Sequence, residues 1–99
     1  KPVIAFVYAR DGRVKVSART TRRIVEAGAD LGEAMNLAAA EIGSGSEGGG
    51  HNIAAGATIP RGQEQRFLEI VERVLRKQLG RMHEAELPDE ESANEETIK

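Results

Sequence analysis

VIAFVYARDGRVKVSAR, residues 3–19, is the stretch that decides the fold. Val3 to Ala9 is apolar without alternation, the pattern of a central strand buried on both faces. Arg10-Asp11-Gly12-Arg13 follows. Asp-Gly is a favoured two-residue hairpin turn, because both positions tolerate positive φ. From Val14 to Arg19 the pattern alternates. Val14, Val16 and Ala18 point one way, and Lys15, Ser17 and Arg19 the other. The prediction is an antiparallel hairpin whose second strand shows a polar, cationic face.

The next segments add helices and one more strand. Thr20 to Ala29 fits either a short helical turn around Arg22–Ala27 or an irregular crossing ended by Gly28. Arg22 and Arg23 read as a solvated face. Asp30 with Glu33 has the spacing of a capping box. A helix is predicted from Leu31 to Ile42, with Leu31, Ala34, Met35, Ala38 and Ile42 on one face and Gly43 as its stop. GSGSEGGG, residues 43–50, reads as a loop. IAAGATIP, residues 53–60, reads as a strand of small residues closed by a proline that cannot continue a ladder. Phe67, Ile70, Val71, Val74 and Leu75 then mark an amphipathic helix from about Gly62 to Leu79, ended by Gly80. Glu69–Arg73 and Glu72–Arg76 have the favoured i,i+4 order along it. The element order is strand, strand, helix, strand, helix. The fold class is α/β, a small mixed sheet with helices packed on it.

Composition bounds what such a domain can do. Ninety-nine residues make one small domain. The absence of cysteine excludes a disulfide scaffold, a thiolate zinc site and a cysteine nucleophile. The seven-residue run Val3–Ala9 is far too short for a membrane span. The chain starts at Lys1 and shows no signal peptide, so we expect a cytoplasmic segment of a longer protein. Charge is unevenly placed. Residues 84–99 hold seven acids and one base, and residues 1–83 hold thirteen bases and nine acids. The body, residues 1–83, is expected to be the folded unit, and 84–99 an acidic, disordered tail or linker.

The segment with chemical content is GGGHNIAAGA, residues 48–57. Gly48, Gly49 and Gly50 remove every side chain from a stretch of backbone, so a ligand can approach closely and the N–H groups can converge on an anion. His51 can donate a hydrogen bond to a phosphate oxygen. Arg19, on the same strand face as Ser17, can grip phosphate with two N–H groups. The sheet must bring the end of the second strand beside the start of the third for Arg19 and His51 to meet. No GK[ST] follows the glycines and no GxGxxG is present, so neither a Walker loop nor a dinucleotide fingerprint is written here. His51 and His83 stand without clustered acids, which argues against a metal site. No Ser–His–acid set is convincing. His83 has no assigned role. Taken alone, these residues describe a binding half and not a complete catalyst.

GGGHNIAAGATIP, preceded by VKVSAR, resembles the C-terminal DHH-associated domain of the DHH phosphoesterase superfamily. The resemblance covers about residues 3–79 and looks most like archaeal RecJ-like single-strand exonucleases. It implies an upstream DHH domain holding two metal ions, manganese or magnesium, and no cofactor within this segment. It implies that Gly48, Gly49, Gly50 and His51 match a substrate-binding loop and that Ser17 and Arg19 match the strand beside it. Asn52 is included with the binding residues. Expected partners are single-stranded DNA or RNA, the DHH domain of the same protein and replication proteins. Competing readings are an oligoribonuclease or pAp phosphatase, a cyclic-dinucleotide phosphodiesterase, a tRNA-binding module and a replication-complex interaction module.

Overall fold

Alternation in β2 (Arg13–Arg19) divides the molecule into a covered and an open side. Val14, Val16 and Ala18 are buried, and Lys15, Ser17 and Arg19 are exposed. The computed structural model describes residues 2–86. Around β2 it places β1 (Val3–Tyr8), α1 (Arg22–Glu26), α2 (Leu31–Ile42), β3 (Glu47–Gly50), β4 (Ala54–Pro60) and α3 (Glu64–Glu86). The strands form one sheet in the order β1-β2-β4-β3. The expected α/β class is found, with every pairing among the described residues antiparallel where a mixed sheet was expected. The core lies between one sheet face and the long helices. Val14, Val16 and Ile59 meet Leu31 and Met35 of α2 and Phe67, Ile70 and Val71 of α3. Fully burying each of these larger side chains is worth roughly 1.5–3 kcal/mol.

Several sequence expectations change in detail. β1 is an edge strand, not a central one, with Val3 69% and Val7 61% exposed. Its apolar run misled because Val3, Ala5 and Val7 look outward while only Ile4 and Phe6 pack on the core. The hairpin loop has three residues, not two. Ala9 N–H donates to the Arg13 carbonyl at 2.9 Å, Gly12 has φ 85°, and the Asp11 carboxylate accepts from the Arg13 amide. The glycine-rich segment is not all loop, because its second half is β3. Thr20–Ala29 does contain a helical turn, α1, capped by the Thr21 hydroxyl. α3 runs through Gly80 to Glu86, so that glycine does not end it and the expected tail begins inside a helix. Residues 87–99 lie outside the described residues.

α2 is held at both ends. The Asp30 carboxylate accepts from the Glu33 amide at 3.1 Å, which is half of the predicted capping box. Gln78 of α3 replaces the other half. Its carbonyl accepts from the Asp30 amide at 2.9 Å, and its amide donates to the Asp30 carbonyl and the Glu33 carboxylate. Gln78 is only 3% exposed, whereas Glu33, at the far end of one of its bonds, is exposed. At the other end, Gly43 has φ 72° and donates to Ala39, and Arg73 donates to the Glu41 carboxylate at 2.5 Å. That bond holds the Glu41 carboxyl below its ordinary range. Arg73 thus joins the helices instead of pairing within α3, whereas Glu72–Arg76 forms as expected at 2.7 Å.

Gln78→Ala should lower unfolding stability by about 2 kcal/mol, since it takes from the part-buried Asp30 amide the carbonyl it donates to, while the Asp30 carbonyl keeps its bond from Ala34. Urea denaturation reads this directly. An unchanged midpoint would show that the clamp carries no energy.

Candidate nucleic-acid interface

The outer sheet face is built by register. Lys15, Thr58 and Glu47 form one row across β2, β4 and β3, and Ser17, Gly56 and Gly49 form the next. Arg19 pairs with Ala54, and the His51 amide donates to the Ala54 carbonyl at 2.8 Å. Arg19, Ala54 and His51 therefore share a row. The requirement that the end of β2 lie beside the start of the last strand is met. The backbones of β2 and β3 are roughly 10 Å apart there, two spacings of about 4.8 Å.

The triple glycine divides by side. Gly48 faces the helices, and Gly50 brings its carbonyl against α2. A Cβ at Gly48 would fall on the Met35 carbonyl, 2.8 Å from its carbon, and one at Gly32 of α2 would fall on the Gly50 carbonyl, 2.9 Å from its carbon. α2 thus lies directly on the backbone of β3. Gly50 also has φ 137°, which favours glycine. Gly49 faces out, and a Cβ there would meet nothing within 4 Å. Gly49 and Gly56 together hollow a shallow trough bordered by Lys15, Ser17, Thr58 and Glu47. The glycine amides do not converge as expected, because successive N–H groups of an extended strand point to opposite edges. What the glycines leave open is a bare strip of sheet.

The turn after β3 is fixed from two directions. The Asn52 carbonyl accepts from the Leu31 amide at 2.9 Å, and the Ile53 carbonyl accepts from the Thr20 amide at 3.1 Å. Asn52 is therefore tied in through its main chain, while its side chain is exposed. Gln78 fixes Asp30, Asp30 precedes Leu31, and Leu31 holds Asn52. The clamp in the core thus reaches the turn that carries His51.

Charge on the open face is selective. Arg13 donates to the carbonyls of Ser44 and Gly45, the latter at 2.6 Å, and fastens the loop ahead of β3. Among the described residues, Arg66 and Arg73 pair with Glu41, and Arg76 pairs with Glu72. Lys15, Arg19 and His51 are exposed and form no ion pair among the described residues. No group of three or more His, Cys, Asp or Glu among the described residues could hold a metal ion. No helix among them is long and apolar enough to cross a membrane.

The sequence matches the DHHA1 domain family over residues 1–77. The chain belongs to the DHHA1 family. This DHHA1 domain is also 40% identical over 81 residues to the uncharacterized protein MJ0831 of Methanocaldococcus jannaschii, covering 82% of this chain and 18% of that protein. It therefore spans under a fifth of that relative's length. Membership associates this DHHA1 domain with the DHH-family phosphoesterases.

Sequence reasoning named Ser17, Arg19, Gly49 and His51 on the face they share. It missed Lys15 and Thr58, which border the same trough. Lys15 carried a signal, the alternation that aligns it with Ser17 and Arg19. Thr58 carried none until the β2–β4 register was known.

Proposed function

We propose that residues 1–83 form the substrate-binding domain of a metal-dependent DHH-family phosphoesterase, one that degrades single-stranded nucleic acid from an end in the manner of RecJ. The observation that supports this most is the row containing Arg19 and His51, beside a strip of sheet bared by Gly49 and Gly56, in a DHHA1 domain. Arg19 donates two N–H groups to phosphate oxygens. His51 donates one more from the opposite side of the row. Ser17 supplies a hydroxyl at the next row, and Gly49 lets the strand approach the sheet without a side chain between them.

The donor set of the described residues does not fit a metal, so the hydrolytic ions, manganese or magnesium, belong in this reading to a DHH domain elsewhere in the protein. The working partners are single-stranded DNA or RNA and that DHH domain, in the cytoplasm, with replication proteins as a further association.

His51→Ala in the full-length protein should reduce kcat/KM on a single-stranded oligonucleotide about tenfold, the loss of one hydrogen bond to a charged oxygen. Bound manganese, measured by metal analysis, should stay at the wild-type level. Loss of manganese in this variant would move His51 out of the substrate site and sink the assignment.

A further inference from the structure

We propose a second phosphate subsite at Lys15 and Thr58, placed so that the open face takes a nucleic-acid strand of at least three consecutive phosphates. This rests on the phosphate-binding reading of Arg19 and His51 and extends it along β2. Arg19, Ser17 and Lys15 are the outward residues of one strand. Alternate residues of a strand are separated by about 6.8 Å, a step close to that between neighbouring phosphates of an extended single strand. The three side chains therefore form rungs in phase with a polyanion lying along β2.

The ends of this ladder are defined. Lys15 has no ion pair among the described residues, and Thr58 stands opposite it in register, offering a hydroxyl beside the ammonium. The next outward position, Arg13, is occupied by the Ser44 and Gly45 carbonyls. Glu47 lies beyond Thr58 in the same row. Its carboxylate repels phosphate and keeps the path over β2 instead of β3. Between them the floor is Gly56 and Gly49, where no side chain obstructs a sugar. Few aromatics are available for base stacking, so the track follows the backbone and tolerates any base.

The test is an NMR titration of the 99-residue chain with thymidine 5′-monophosphate and with a 5′-phosphorylated thymidine tetramer, alongside the matching uridine tetramer. For the wild type, both ligands should shift the amides of the Arg19 and His51 row, and only the tetramers should shift Lys15 and Thr58. Lys15→Ala should weaken tetramer binding about tenfold and leave the monophosphate unchanged. The tetramer's log–log salt slope should fall by about 0.7, the value of one phosphate contact on a single strand. Lys15→Arg should restore affinity. Equal tetramer affinity in wild type and Lys15→Ala overturns the subsite, as does equal weakening of both ligands. If neither ligand binds the wild type, or if Arg19→Ala changes nothing, the phosphate reading itself falls.

Discussion

Gly48→Ala is expected to cost about 3 kcal/mol of stability, at the upper end of overpacking penalties. The new methyl would meet the Met35 carbonyl, which is helix backbone and cannot rotate away, and would sit 3.2 Å from the Ala57 Cβ. Relief requires α2 to lift from β3. For a domain of this size, such a loss lowers the melting temperature by on the order of 15 °C. Gly49→Ala is the matched control. Its methyl enters open space, so stability should stay within about 1 kcal/mol of wild type, helped by reduced freedom in the unfolded chain. Thermal denaturation followed by circular dichroism separates the two. Equal melting temperatures would show that the helix does not rest on β3 as described.

Arg19→Ala should weaken binding of a phosphorylated single strand about 30-fold, or about 2 kcal/mol, and leave the melting temperature unchanged. Its side chain is exposed and forms no ion pair among the described residues, so the folded state loses nothing with it. Arg19→Lys keeps the charge and loses the fork that grips two oxygens. It should recover only part of the affinity. Titration of labelled oligonucleotide by fluorescence anisotropy, at one stated salt concentration, measures all three. Full recovery by lysine would reduce Arg19 to a point charge. No loss in the alanine variant would remove it from the interface.

Much of this architecture was legible because it follows from local pattern. The alternation over Val14–Arg19 set the faces of β2, Asp30 announced the start of α2, and the spacing from Phe67 to Leu75 marked α3. What escaped was decided by partners distant in the chain. β3 has no hydrophobic period, and glycine disfavours strands. Its pairing with β4 and the weight of α2 on its back make it one. Nothing in the local pattern singles out Gln78, yet the end of another helix, 48 residues away, makes it a buried clamp. The candidate site was half visible for the same reason. Ser17, Arg19 and His51 could be named from their own segments, but the trough between them exists only when Gly56 and Gly49 fall into register. The reading of three glycines as one anion cradle failed on geometry, because neighbouring residues in a strand serve opposite sides.

Helix and ribbon touch main chain to main chain where Gly32 meets Gly50 and Gly48 meets Met35. Elsewhere side chains such as Phe67 and Leu31 hold the layers apart, and here that spacing is absent. The strip of sheet bared by Gly49 is consequently backed by helix main chain with no side chain between. In the reading proposed above, a strand lying on this face would rest on a floor joined to the helix layer through backbone alone.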